Sequence, residues 1–195
     1  MSLITDATLM GLWEKAQVQS SSERASVRLW FQLWNKHLFS GKDWVVSQEI
    51  PPEGSGRQLV DITIEYLNVD KGLAVLAFHK VKPPNAGPQD VEEAEGQAFD
   101  ACMRYLGENP ALQYVYTFIS FGTKVRGWRC ARDNHHLFPQ FGSKALAERT
   151  QYVEVHSSRG SADQTSCPND ESFAANSLNR ALEVYSVVCS GFQVV

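Results

Sequence analysis

The chain has 195 residues, of which 43% are apolar and 21% charged, values typical of a globular domain rather than of a disordered chain. Its net charge of −4 disfavours a dedicated nucleic-acid binder, because such proteins usually carry a basic surplus. The four cysteines form no CxxC motif, and no apolar run approaches the ~20 residues of a membrane span. We therefore expect a soluble, cytoplasmic protein of one domain, with reduced thiols and no membrane partner.

Two helices are predicted in a first region, residues 1–42. The first helix covers residues 6–17 and begins at Asp6. The second covers residues 20–39, where Ser20 and Glu23 have the spacing of a capping box. This second helix carries one apolar stripe at helical spacing, formed by Val27, Phe31, Trp34 and Leu38.

Three strands are predicted next, at the start of a core region of residues 43–157. They cover residues 43–50, 57–67 and 73–82. The alternation in the second strand predicts two faces, one with Asp61, Thr63 and Glu65 and the other with Val60, Ile62 and Ile64. The third strand is nearly continuously apolar, which is typical of a central strand covered on both faces. Its polar end places Lys80 and Lys82 on one face and His79 on the other.

The remaining elements complete the predicted sheet. A helix over residues 90–110 has Asp90 as its N-cap, and strands over 111–122 and 123–130 meet at Phe121-Gly122-Thr123. A late strand is predicted over 151–157, and residues 158–195 are predicted to form a polar loop and a C-terminal helix. This order predicts an α/β (α+β) fold, a mixed β-sheet flanked by helices.

Asp61 and the two lysines of the following strand form the arrangement of greatest chemical interest. An Asp at one strand, followed about twenty residues on by a Glu-x-Lys pair, is the pattern of a metal-dependent nuclease site. Two carboxylates hold a hard divalent cation through oxygen, and the cation polarises a phosphate and generates hydroxide from water. The Lys orients the water or stabilises the developing charge.

Over residues 43–157 the sequence resembles the fungal branch of the restriction-endonuclease-like PD-(D/E)xK superfamily. The segments that carry the likeness are "DWVVSQEIPPEGSGRQLVDITIEYL", "LAVLAFHKVK", "VEEAEGQAFDACMRYLGENP" and "VYTFISFGTKVRGWRC". In the family, the helix after the lysine strand carries Glu-x-Gln followed by Tyr, which Glu95, Gln97 and Tyr105 match. The resemblance implies a restriction-endonuclease-like sheet with site residues at Asp61, Lys80, Lys82, Glu95 and Gln97.

The sequence departs from the family pattern at Lys80, which stands where the Glu of Glu-x-Lys is expected. A protonated lysine repels a divalent cation, so we expect no cofactor and a degenerate metal site. The alternative is a Mg²⁺ or Mn²⁺ site in which another carboxylate, Glu49, Glu65 or Glu95, replaces the missing one. It is equally open that Asp61 has a purely structural role and forms an ion pair with Lys80 or Lys82 across neighbouring strands.

Several other side chains are candidates for binding or for the core. Trp44 and Trp128 are candidates to line a cleft, and Lys124 and Arg126 to form a local basic face together with Arg129 and Arg132. His79 is interpreted as a hydrogen-bonded buried histidine, and Cys102 as an inert core residue.

Three functions remain open from the sequence. The first is a repurposed nuclease fold, which acts on a small molecule, as in natural-product biosynthesis, through a cleft of Asp61, Lys80 and Lys82. The second is a Mg²⁺- or Mn²⁺-dependent DNA endonuclease with a migrated carboxylate. The third is a non-catalytic module that binds nucleic acid or protein through its basic residues. A nucleic-acid partner is disfavoured by charge, and the oligomeric state is not predicted.

Overall fold

The computed structural model describes residues 2–18, 22–48, 60–68, 71–134, 136–140, 144 and 146–156. These parts contain three α-helices: α1 (Ala7–Val18), α2 (Glu23–Gln32) and α3 (Pro88–Glu108). Helix α2 continues as a π-helix over Leu33–Leu38, and a 3₁₀ turn covers Arg149–Gln151. The strands are β1 (Trp44–Gln48), β2 (Ile62–Leu67), β3 (Leu73–Lys82), β4 (Tyr114–Phe121), β5 (Lys124–Ala131), β6 (Leu137–Pro139) and β7 (Val153–Glu154).

The strands form one mixed sheet in the order β1-β2-β3-β4-β5-β6, and β7 pairs with β5 beside β6. All neighbours are antiparallel except β3 and β4, which are parallel and are connected by α3. A parallel pair needs such a crossover because a tight turn can join only antiparallel strands. The predicted α+β class is confirmed, and the structure adds β6, which the sequence analysis missed.

Helices cover both faces of the sheet, as the apolar run of β3 predicts. One apolar layer lies between the sheet and α3, with Phe78, Val115 and Trp128 from the strands. The second lies between the sheet and α1 and α2, with Ile62, Ile64 and Val81 from the strands. Val60 belongs to the first layer, so the prediction that it shares a face with Ile62 and Ile64 is wrong. Val60 precedes β2, and the alternation of side chains along a strand does not apply to a residue outside it.

The buried face of α2 and its π-helical extension differs in part from the predicted stripe. Leu29, Trp30, Leu33 and Trp34 are the buried residues, while Val27, Phe31 and Leu38 are half-buried at its margin. Both indoles are satisfied inside the layer: Trp30 Nε1 donates to Gly122 O at 2.9 Å and Trp34 Nε1 donates to His79 Nδ1 at 2.7 Å. Each buried indole N–H thus has the acceptor that it needs, so burial of the two rings leaves no unpaired donor on them.

The predicted N-cap residue is confirmed for α1 but is wrong for α3. Asp6 Oδ1 accepts the N–H groups of Thr8 and Leu9 at 2.8 and 2.9 Å, which caps α1 as predicted. In α3 the N-cap is Gly87 and Pro88 follows, so Asp90 is not the N-cap. Instead, Asp90 Oδ2 accepts the Gly87 N–H at 2.7 Å. Proline suits the first helical position, since the N–H that it lacks has no acceptor within the helix.

Ser20 of the predicted capping box lies outside the described residues, as does the whole of residues 158–195, where a polar loop and a helix are predicted. None of the described helices is both long enough and apolar enough to cross a bilayer.

Candidate functional site

Asp61 and Lys80 meet on the α3 side of the sheet. Lys80 Nζ lies 3.3 Å from Asp61 Oδ1, and Asp61 Oδ2 accepts the Val81 N–H at 2.7 Å. Both residues are only 5% exposed. The backbone supports this contact, because the Asp61 N–H donates to His79 O at 2.9 Å and so aligns the start of β2 with the end of β3. The structure therefore contains an ion pair between Asp61 and Lys80, which is the structural alternative raised by the sequence.

Lys82 extends the cluster towards α3. Its Nζ lies 3.6 Å from Glu93 Oε2, and Gln97 Nε2 donates to Glu93 Oε1 at 3.1 Å. Gln97 is buried, and its Oε1 has no hydrogen-bond partner. Glu93 lies one helical turn before Gln97, a spacing that brings their side chains together. Sequence analysis missed Glu93, although its i, i+4 relation to Gln97 was visible.

Glu23, the first residue of α2, is a second carboxylate that the sequence analysis did not assign to the site. Its pKa is raised, first by burial and then by the negative charge of Asp61, while Lys80 and Lys82 act in the opposite direction. The charges of all three residues act on Glu23, so the start of α2 faces the cluster without a hydrogen bond or ion pair to it among the described contacts. No local sequence pattern signals this, because the approach depends on how α2 packs on the sheet.

The pKa of Lys82 is lowered, mainly by burial and then by the neighbouring positive charge of Lys80. Glu23, Asp90 and Asp61 oppose this shift. Burial disfavours the charged form of an acid and of a base alike. The environment therefore moves the pKa values of Glu23 and Lys82 towards each other, which makes proton transfer at neutral pH easier.

The cluster does not fit a Mg²⁺ or Mn²⁺ site. The ammonium group of Lys80 contacts the Asp61 carboxylate from which a cation would take a ligand oxygen. Among the described residues, no group of three or more His, Cys, Asp and Glu side chains is arranged to hold an ion.

Two of the carboxylates that could replace the missing metal-binding Glu, Glu65 and Glu95, lie away from Asp61. Glu95 is buried, but its Oε2 accepts the Ala147 N–H at 2.7 Å and its Oε1 accepts the Tyr152 hydroxyl at 2.9 Å. Glu65 is four residues beyond Asp61, about 13 Å along a strand whose side chains stand roughly perpendicular to the sheet. That separation is too large for a shared cation. Glu49 lies outside the described residues.

Glu95 forms a separate buried group with Ala147 and Tyr152 on the α3 side of the sheet. Burial raises the pKa of Glu95, while Ala147, Tyr152 and the positive charge of Arg126 lower it. Arg126 is itself buried and its guanidinium lies 4.0 Å from the centre of the Trp128 ring. Trp128 is fully buried, so neither residue presents a binding surface.

The remaining predicted binding residues are also dispersed. Lys124 is exposed and shares a strand face with Arg126, whereas Arg129 points to the other face, above Tyr114 at 5.7 Å. Arg132 donates to the backbone carbonyls of Leu106, Asn109 and Leu112, which is a structural role. Trp44 packs against Phe39 and Tyr66 on the α1–α2 side of the sheet. The predicted basic face is therefore not formed by these four residues.

His79 is fully buried and hydrogen-bonded on both ring nitrogens, as interpreted from the sequence. Because an indole N–H can only donate, His79 Nδ1 must be the acceptor from Trp34. The ring proton then sits on Nε2 and donates to Ser120 Oγ, 2.8 Å away. His79 cannot take a proton from Ser120 in this tautomer, so the pair is not a nucleophile and its base. Burial lowers the pKa of His79 to about 3.

Comparison with protein-family models, curated proteins and solved structures finds no match for this chain. The family resemblance of the sequence therefore stays a hypothesis, and the site is interpreted from its own geometry.

Proposed function

We propose that the Asp61–Lys80–Lys82 cluster, completed by Glu23, is an acid–base site for a small molecule rather than a metal centre. The observation that carries this proposal is the position of Lys80, whose ammonium group pairs with Asp61 and lowers the pKa of Lys82. A lysine whose pKa is lowered by burial and by a neighbouring cation is a suitable general base. This function is also consistent with a nuclease fold that has lost its metal and acquired small-molecule chemistry.

In the proposed reaction, the neutral amine of Lys82 removes a proton from a carbon next to a carbonyl group. The protonated carboxyl group of Glu23 donates a proton to the carbonyl oxygen. The products are an enol, an ammonium group on Lys82 and a carboxylate on Glu23, so protons and charge balance. Asp61 and Lys80 do not exchange protons in this step but set the charge around Lys82.

Deuterium exchange tests this proposal without knowledge of the natural substrate. Exchange of the α-protons of a panel of ketones, beginning with cyclohexanone, is measured in D₂O by proton NMR. We expect faster exchange with the native protein and with Lys124→Met, which removes an exposed lysine of β5, and no acceleration with Lys82→Met. Equal rates for Lys82→Met and Lys124→Met, or no acceleration with any ketone, would contradict the acid–base function.

The second candidate is the metal-dependent endonuclease, which requires Lys80 to leave Asp61 and a second carboxylate, such as Glu23, to approach it. Thermal unfolding with and without excess Mn²⁺ tests it directly. A midpoint rise that disappears in Asp61→Ala would favour the nuclease, whereas an unchanged midpoint would favour the metal-free site.

A further inference from the structure

A cleft separate from the Asp61 cluster opens between α1, α2 and the end of β1. Its volume is about 470 Å³, which is within the usual range for small-ligand pockets. It is lined by Thr8, Leu12, Arg24, Val27, Arg28, Phe31, Gln32 and Gln48. Arg24 follows Glu23 in α2, but a helix turns about 100° per residue, so the two side chains diverge.

The lining has a positive end and an apolar wall. Arg24 and Arg28 lie four residues apart on α2, so their guanidinium groups project from the same helix face into the same cleft. Leu12, Val27 and Phe31 form the apolar part, and each is only partly buried although it packs against the core. Among the described residues, no carboxylate lines the cleft.

The two arginines are also unpaired within the described part of the chain. No described acidic side chain forms an ion pair with either of them. Two like charges at i, i+4 repel each other in a helix, and an anion between them would remove that repulsion. Guanidinium groups bind carboxylates and phosphates through two parallel hydrogen bonds, which makes such an arrangement selective for these anions.

We propose that this cleft binds a small organic anion, with its carboxylate or phosphate between Arg24 and Arg28 and its apolar body against Leu12, Val27 and Phe31. Thr8, Gln32 and Gln48 supply further hydrogen bonds to the polar end. The proposal is independent of the acid–base function, because none of the lining residues belongs to the Asp61 cluster.

Isothermal titration with three probes of equal chain length tests the site: octanoate, octyl phosphate and the neutral 1-octanol. We expect at least one anion to bind and 1-octanol to bind at least tenfold more weakly. The double variant Arg24→Gln/Arg28→Gln should lose at least tenfold in affinity for the anion. Arg129→Gln, which removes an exposed arginine of β5, serves as the matched control and should bind like the native protein.

The two anions distinguish a carboxylate site from a phosphate site. Equal binding of 1-octanol, unchanged affinity in the double variant, or no binding of either anion would overturn the proposal. Because Arg24 and Arg28 are exposed, the double variant should fold, which its circular dichroism and unfolding midpoint verify.

Discussion

Lys80 Nζ lies 3.3 Å from Asp61 Oδ1, between two strands and with both side chains almost inaccessible to water. In the sequence hypothesis of a PD-(D/E)xK site, this lysine takes the position of a metal-binding Glu. Its ammonium group thus neutralises the Asp61 carboxylate, a role that a metal ion would otherwise have.

Removal of the Asp61 charge should destabilise the protein through Lys80. In Asp61→Asn, the amide oxygen can still accept the Val81 N–H, but Lys80 is left as a buried cation without its carboxylate. Breaking a buried ion pair at one end costs about 3–5 kcal/mol, and we expect that loss in the free energy of unfolding measured with urea. The double variant Asp61→Asn/Lys80→Met should recover most of it. A double variant as unstable as the sum of its two single variants would show that the pair is not coupled.

Lys80→Glu should convert the cluster towards a metal site. Without metal, the new carboxylate repels Asp61 and the unfolding midpoint falls. Mn²⁺ at roughly one hundred times its dissociation constant should add about 2.7 kcal/mol, a midpoint rise of about 5–10 °C. Lys80→Met, which supplies no ligand oxygen, is the control and should show no rise. Identical responses of the two variants would contradict the idea that this sheet descends from a metal-binding one.

The pKa of Lys82 should respond in opposite directions to its two kinds of neighbour. Lys80→Met removes a positive charge and should raise it, whereas Glu23→Gln removes a negative charge and should lower it. NMR titration of ¹³C-methylated lysines measures both shifts. If neither substitution moves the Lys82 resonance, Glu23 and Lys80 do not act on this amine.

His79 should make the protein less stable as the pH falls. Its pKa is about 3 in the folded state, because burial disfavours the charged ring, against 6.5 when unfolded. Below pH 6.5 the unfolded chain therefore binds a proton that the folded chain does not. Between about pH 7.5 and 5 this difference removes about 2 kcal/mol from the free energy of unfolding.

The control for this prediction is His79→Gln, which has no ring to protonate. Urea unfolding of both proteins across the same pH interval should give a flatter dependence for the variant. Parallel curves would mean that His79 is protonated in the folded protein or that its contribution is cancelled.

Tyr152→Phe should weaken the buried Glu95 group without creating a cavity, since only the hydroxyl is lost. One of the two donors to the Glu95 carboxylate disappears, at a cost of about 1–3 kcal/mol near neutral pH. Burial already raises the pKa of Glu95, and the substitution should raise it further. The destabilisation should therefore shrink as the pH falls and Glu95 becomes protonated. Tyr114→Phe, at a half-exposed tyrosine, is the control and should change stability little at either pH.

The sequence alone determined much of the sheet. The apolar run of residues 73–82 predicted a central strand covered on both faces, and β3 has that position between β2 and β4. The period of two along this strand placed Lys80 and Lys82 together and His79 opposite, because successive side chains alternate across any strand. Such inferences succeed since they depend only on neighbours within one element.

Tertiary structure decided which of these residues meet. The direction of Glu95 depends on the rotation of α3 about its axis, and the contribution of Glu23 depends on where α2 begins over the sheet. Arg126 appeared to be a surface charge, yet it is buried against Trp128, because β5 is an interior strand covered by α3. Contacts between segments distant along the chain are set by packing and strand register, which no local pattern of residues encodes. The contact between Lys80 and Asp61 therefore became visible only in the assembled fold.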